Sequence, residues 1–410
     1  MINEMIQDSD VKLTLEFTER MIQTSGERLA GSPGSKKAAD SIKKEFESYC
    51  DSVTTEKFTF SPNAFLGYIR LLVILYVIST VFLWIQRPFY SVVLISIGIL
   101  TMVMEFFFYK EFIDPLWQKK TGHNVIGTIE PEDEVKQQII ISGHHDCAYV
   151  FNFLYYQPKL YPLRLYGGLG SVFLMFLIPL IWSIFKLITG REPLLGTIWK
   201  ITATILLLLV LQMWFFRGNK GTPGAGDNMI AVAVANQMGH IIATAKKSGQ
   251  PLKHTRIILG SWDAEEAGLR GARAYCKLHE DELKKIPTYN FNMDCLYSLD
   301  DLFFLTTDIN GSVNLSEKMA KECEQIAHQK GYKATKKPIA FLTGGTDAGE
   351  FGKIGVEATS LIAMPWGNDS RASVYHTPDD KVEAIEPEIV KASLKILYEY
   401  CMQKDQKISI

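Results

Sequence analysis

Apolar residues fall into two kinds of pattern along the chain. Four runs are apolar all round, at about 66 to 86, 89 to 109, 166 to 188 and 195 to 216. Each supplies the roughly 20 helical residues needed to cross a hydrocarbon core of about 30 Å. Elsewhere the apolar stretches are short and alternate with helical periodicity. Gln138 to Ser142, Arg256 to Gly260, Phe291 to Met293 and Ala358 to Ala363 predict strands, while Ser35 to Tyr49 and Met229 to Lys246 predict helices. This alternation predicts an α/β domain with a mixed or largely parallel sheet sandwiched by helices.

The four runs pair into two helical hairpins, turned by Gln86-Arg87-Pro88 and by Thr189-Gly190-Arg191-Glu192-Pro193. A soluble core does not need four all-round apolar helices of this length. The ionisable residues within the runs, Arg70, Glu105, Lys186 and Lys200, lie near run ends, where long side chains can snorkel. Tyr68, Trp84, Tyr109, Tyr166, Trp199 and Trp214 also lie near the ends, as rings at a headgroup level would. Transmembrane hairpins are therefore expected at 65–109 and 166–217. The polar stretches 1–64, 110–150 and 218–410 together read as one domain interrupted twice. An aromatic segment, 151–165, leads into the second hairpin. Its two readings, a roof over an apolar substrate pocket and a plain contact with the bilayer, both stand at this point.

Composition narrows the function classes. The 410 residues carry 43 Lys plus Arg against 45 Asp plus Glu, a formal net charge of −2, which disfavours a general nucleic-acid binder. The six cysteines lack paired or CxxC spacing, excluding a disulfide scaffold and a structural zinc finger and fitting a reducing compartment. The opening MINEMIQDSDVKLTLEFTER lacks the build of a signal peptide, so contact with a bilayer is expected through internal segments. On the domain side of the hairpins lie Lys57, Arg70, Lys110, Lys119, Lys120, Lys159, Arg164, Arg217 and Lys220. On the far side lie Arg87, Lys186, Arg191 and Lys200. This bias predicts a four-span protein of the cell membrane with the polar domain in the cytosol.

Candidate chemistry clusters at the ends of the strand candidates: His144-His145-Asp146, Asp227, Glu265-Glu266, Asp294 and His376. Strand carboxyl ends are where an α/β sheet presents its ligands. Imidazole mixed with carboxylate suits zinc or a similar divalent ion, not an all-oxygen calcium or magnesium cage. Asp146 can accept the ring N–H of His144 and orient it. Adjacent Glu265 and Glu266 can divide the work, one binding metal and the other acting as general base. His145 is expected to face away, because neighbours on an extended chain point to opposite sides.

These residues sit in motifs that resemble those of the zinc-dependent exopeptidases, the family of leucyl-type aminopeptidases, glutamate carboxypeptidase and glutaminyl cyclase. The motifs are Gly143-His144-His145-Asp146, Pro223-Gly224-Ala225-Gly226-Asp227-Asn228, Asp263-Ala264-Glu265-Glu266-Ala267-Gly268-Leu269, Asn292-Met293-Asp294 and Tyr375-His376-Thr377-Pro378-Asp379-Asp380. Arg28-Leu29-Ala30-Gly31-Ser32-Pro33-Gly34 and Asn124-Val125-Ile126-Gly127 are similar to further family elements. The resemblance implies the family's mixed sheet between helices. It also implies two Zn²⁺, replaceable by Co²⁺ or Mn²⁺, bridged by Asp227, one also held by His144 and Asp294 and the other by Glu266 and His376. Glu265 would be the base, Asp146 would orient His144, and the Asp227–Asn228 peptide would be cis. Tyr375 would either donate to the developing oxyanion or pack beneath the site. The implied activity is a membrane-anchored aminopeptidase acting on peptides with a free N-terminus. The alternatives are a mono-zinc acyl transferase like glutaminyl cyclase and a non-catalytic receptor or scaffold. Gly345-Thr346-Asp347-Ala348 departs from the family's Ser-Asp-His segment by losing the histidine. Cys147 and Cys295, beside predicted site residues, are expected to be ordinary buried thiols.

Overall fold

A computed structural model describes residues 6–367 and 370–409. The chain divides into two compact units, one made of 1–62, 119–150 and 220–410, the other of 63–118 and 151–219.

The first unit is built on an eight-stranded mixed sheet. Its strands are β1 (Ser52–Phe60), β2 (Lys120–Ile129), β3 (Gln137–His144), β4 (Thr255–Trp262), β5 (Thr288–Leu296), β6 (Leu302–Leu305), β7 (Thr335–Lys337) and β8 (Glu357–Ala363). Their order across the sheet is β1-β2-β4-β3-β5-β8-β6-β7. The central strands β4, β3, β5 and β8 run parallel, and β1–β2, β2–β4 and β8–β6 are antiparallel. The four strand candidates lie within these central strands. Outer strands such as β1, whose sides are half exposed, carry too weak an apolar signal to be read from pattern alone.

Helix Ile230–Lys247 crosses the sheet with every residue from Ile230 to Gly239 buried. Its small side chains permit close approach: a Cβ on Gly143 of β3 would lie 2.5 Å from that of Ala231. Helix Pro33–Glu47 starts where Ser32 accepts the N–H of Ser35 at 3.2 Å, with Pro at its first turn, as the Gly-Ser-Pro-Gly sequence favours. Helices Asp8–Ser25 and Pro387–Ser409 contribute Phe17, Met21, Ile389 and Leu397 to the same buried core.

The second unit contains four helical spans long and apolar enough to cross a membrane: Ala64–Trp84, Pro88–Phe107, Pro158–Thr189 and Gly196–Phe215. They share a core of Leu72, Tyr76, Ile95, Met175, Trp182 and Ala203. Several polar groups of this unit are paired, as a low-dielectric setting favours. The Tyr76 hydroxyl donates to the Ala203 carbonyl at 3.2 Å, Ser91 Oγ donates to the Ser79 carbonyl at 2.7 Å, and Glu105 accepts the N–H of Ile113 at 2.8 Å. Part of the aromatic segment, from Tyr161 onward, belongs to the helix Tyr161–Thr189. The helix therefore begins before the apolar run read from hydropathy.

Candidate metal centre

Each predicted ligand is delivered by a different local device on the first unit. His144 ends β3 and Asp294 lies near the end of β5. Glu265 and Glu266 follow β4, after Ala264 turns with φ 62°. Asp227 occupies an irregular turn before helix Ile230–Lys247, where its peptide bond to Asn228 is cis. His376, with φ 54°, comes from the loop after β8. The sheet thus gathers residues separated by more than 200 positions of sequence.

Distances tie these side chains together. His144 Nε2 lies 3.3 Å from Asp227 Oδ1 and 3.7 Å from Glu265 Oε2. His376 Nε2 lies 3.0 Å from Asp227 Oδ2 and 3.4 Å from Glu266 Oε1. Three groups each offer ligand atoms mutually within 4.8 Å: His144 with Glu265 and Asp294, His144 with Asp227 and Glu266, and Asp227 with Asp294 and Cys295. Asp146 Oδ1 is 3.3 Å from His144 Nδ1, and its two carboxylate oxygens accept the N–H groups of Glu265 at 3.1 Å and Glu266 at 3.2 Å. One carboxylate thereby orients the imidazole and fixes the acidic turn.

Residues the sequence reading left aside complete the frame. Asp380 accepts the N–H groups of Gly226 at 2.8 Å and Asp227 at 3.3 Å. Gly226 must lack a side chain, because a Cβ there would lie 2.1 Å from the Tyr297 ring. Arg28 is fully buried and donates through Nε to the His145 carbonyl and through Nη2 to the Gly224 carbonyl, both at 2.8 Å. It joins the turn after His144 to the turn before Asp227. Asp347 is buried with neither carboxylate oxygen hydrogen-bonded, and burial pushes it well above the usual range while His144 opposes the shift. The Arg28 and Asp380 motifs were visible in the sequence, but their partners lie across the sheet.

Tyr375 stacks on His376, with ring centroids 3.8 Å apart and 18° between planes, and Arg371 lies 4.8 Å over the Tyr375 ring. His145 turns away as expected, bonding Ser261 Oγ through Nδ1 at 2.8 Å. Burial, then the Arg28 charge, pushes its imidazole down to about 3, so it stays neutral. His240 packs against Tyr49 at a tilt, His279 pairs with Glu56 at 2.7 Å, and His328 bonds the Ala334 carbonyl. Cys147 is buried and accepts the N–H of Arg28, and Cys295 is buried beside Asp294.

Electrostatics decide what the site can hold. Burial pushes Asp294 up to about 7 and Glu265 well above its ordinary range, with neighbouring carboxylates adding to both. Burial would lower His144 and His376, but the carboxylates around them win, raising His144 well above its ordinary value and His376 to about 9. Burial would likewise raise Asp227, yet the two imidazoles hold it below the usual range. Carboxyls that retain protons beside charged imidazoles mark excess negative charge, which a divalent cation relieves. His144 Nε2, Asp227 Oδ2 and Glu266 Oε1 are buried without a hydrogen bond of proper geometry. Imidazole and carboxylate oxygen are the donor types zinc takes, so these residues fit that ion.

Known proteins resemble this chain in sequence and in fold. Residues 212–401 match the profile of Peptidase family M28. Aminopeptidase YwaD of Bacillus subtilis (strain 168) is 29% identical over 176 residues, covering 41% of this chain and 34% of that protein. The chain thus matches about a third of the length of this curated relative. Among solved structures, a glutaminyl cyclase from an Acidobacteriales bacterium superposes with TM-score 0.56 at 15% identity, covering 97% of this chain and 95% of the other. The zinc aminopeptidase BSAP from Bacillus subtilis gives 0.56 at 15% identity, with 95% of each chain covered. The resemblance to zinc-dependent exopeptidases read from the sequence is borne out, and the fold is zinc-aminopeptidase-like.

Proposed function

We propose that the chain is a membrane-anchored aminopeptidase that holds two zinc ions and removes N-terminal residues from peptides. The observation that carries this reading is the position of Asp227, whose carboxylate oxygens face one imidazole each, His144 Nε2 at 3.3 Å and His376 Nε2 at 3.0 Å. A carboxylate flanked in this way suits a bridge between two ions. Asp227, His144 and Asp294 would hold one, and Asp227, Glu266 and His376 the other. Bound zinc supplies Lewis acidity and makes water a stronger acid near neutral pH.

The remaining work falls to this chain's own side chains. Glu265, whose side chain keeps 11% exposure, takes the proton of the attacking water and returns it to the leaving amine. Asp146 fixes the plane of His144, and stacking against Tyr375 fixes that of His376. The Tyr375 hydroxyl is the candidate donor to the developing oxyanion. Four apolar helical spans support anchoring in a cell membrane, and the excess of Lys and Arg on the domain side supports a cytosolic site. A mono-zinc acyl transferase would need only part of this five-residue ligand set, and a non-catalytic scaffold would need none of it.

The test is metal analysis and turnover of the detergent-solubilised full chain on an unblocked aminoacyl amide. Glu265→Gln should keep two zinc ions and lose roughly 100-fold or more in kcat. Unchanged turnover in that variant, or one zinc at saturation, would overturn the reading.

A further inference from the structure

Cys295 is carried to the metal centre by an irregularity in the sheet. Along β5, Asp294 pairs with Ile362 of β8 and Leu296 pairs with Ala363, so Cys295 is the extra residue of a β-bulge. Its φ of 54° lies in the left-handed region, which a non-glycine residue adopts at a cost. In a regular strand the side chain after Asp294 would face the opposite side of the sheet. The bulge cancels that alternation, and bulges of this kind commonly re-aim a side chain beside an active site. As a result, Cys295 Sγ, Asp294 and Asp227 offer ligand atoms mutually within 4.8 Å. The thiol is 1% exposed and Asp294 is 3% exposed. In the same buried group, Asp227 Oδ2 lies 3.0 Å from His376 Nε2 without the geometry of a hydrogen bond, as atoms that face a shared ion do.

We propose that Cys295 is a thiolate ligand of an ion held with Asp227 and Asp294, adding a sulfur donor to the two carboxylates. On binding, the S–H bond breaks, the proton leaves to solvent and the sulfur lone pair enters the metal–sulfur bond. The inference rests on the zinc reading of the site and deepens it. A sulfur donor shifts preference toward softer ions, so this position favours cadmium over zinc more than an oxygen and nitrogen site does. The other cysteines lack this geometry. Cys147 accepts the N–H of Arg28, and Cys50, Cys276, Cys323 and Cys401 are in none of the clustered ligand groups among the described residues.

The experiment loads the metal-stripped full chain with Co²⁺ in detergent and records its absorption spectrum together with bound metal. The expected result is visible ligand-field bands accompanied by a near-ultraviolet sulfur-to-cobalt charge-transfer band. Cys295→Ser should lose the charge-transfer band while keeping bound cobalt, and Cys147→Ser should keep both. A chain with the other five cysteines replaced by Ala guards against misfolding of the Cys295 variant, and it must retain the band. Bound cobalt without the charge-transfer band, or a band that survives Cys295→Ser, overturns the thiolate ligand and leaves the metal reading standing. Failure to bind cobalt overturns both.

Discussion

The Asp380 carboxylate accepts the N–H of Gly226 at 2.8 Å, one residue before the aspartate that faces both imidazoles. The same carboxylate also receives the N–H of Asp227. Because the Tyr297 ring leaves no room for a Cβ on Gly226, the turn is clamped from two sides. Asp380→Ala removes both acceptors and should lower metal affinity by about 10- to 100-fold, the range for groups that orient ligands. Asp380→Asn, which retains an acceptor, should lose less. Competition with a chelator of known affinity checks this, and equal affinity for wild type and Asp380→Ala would refute the clamp.

A second polar line runs from Asp308 into the sheet and predicts a pH effect on stability. Asp308 accepts the N–H of Ile309 at 2.6 Å and the N–H and hydroxyl of Thr346 at 2.8 and 2.6 Å. Thr346 meets Ser360 at 2.6 Å, Asn292 donates to Ser360 at 3.1 Å, and Ser142 donates to Asn292 at 3.0 Å. Burial pushes the Asp308 carboxyl up to about 6, against the lowering effect of its Thr346 and Ile309 bonds. The folded chain therefore holds this proton at pH values where the unfolded chain has released it. Its contribution is full below about pH 4 and is lost as pH rises through about 6, on the order of 2–3 kcal/mol. Asp308→Asn can keep the hydrogen bonds without titrating. Wild type should lose Tm relative to this variant between about pH 4 and 6, and parallel Tm–pH curves would refute the assignment.

Much of the site was legible because its chemistry is concentrated in short motifs: His144 and Asp146, Glu265 and Glu266, and the run from Tyr375 to Asp380 each occupy a few adjacent positions. What binds the motifs to one another was not legible. Asp146 holds the N–H groups of Glu265 and Glu266 only because β3 and β4 are parallel neighbours, with His144 opposite Trp262. Arg28 could be noticed, but its carbonyl partners at His145 and Gly224 are set by tertiary packing. Cys295 read as an ordinary buried thiol, and the bulge that brings it beside Asp294 is a property of pairing with β8. The hairpins were the plainest feature, since unbroken apolar length needs no partner to be recognised. Even so, the third apolar helix begins at Tyr161, before the apolar run itself.

The proposed topology puts the turn between the last two spans outside the cell. This turn carries Arg191 and Glu192, with Lys186 paired to Glu192 just before it, and Leu194 is fully exposed. A cysteine introduced at Gly190 should therefore react with an impermeant thiol reagent in intact cells. A cysteine at Lys220 should react only after lysis. The opposite labelling pattern would place the polar domain outside and reverse the reading drawn from the distribution of Lys and Arg.

If the proposed enzyme is anchored by its two internal hairpins, it should favour apolar peptides. The second hairpin enters the chain between Asp146 and Asp227, and Asp227 lies only 11 positions beyond Phe216. At full extension that tether spans about 40 Å at most, and Gly221-Thr222-Pro223-Gly224 shortens it. The approach from the other side carries Tyr155 and Tyr156, which are 40% and 71% exposed and pack edge to face. Rings of this kind settle at a lipid headgroup level. On the proposed anchoring, so short a tether would have the domain work where apolar peptides accumulate, since each buried CH₂ favours partitioning by about 0.8 kcal/mol. The ratio of kcat/KM for matched apolar and polar peptides should rise at least several-fold on moving from detergent to bilayers. Ala substitutions at Tyr155 and Tyr156 should reduce that rise without changing turnover of a small soluble amide. A ratio unaffected by both reconstitution and the substitutions would mean that the hairpins only anchor.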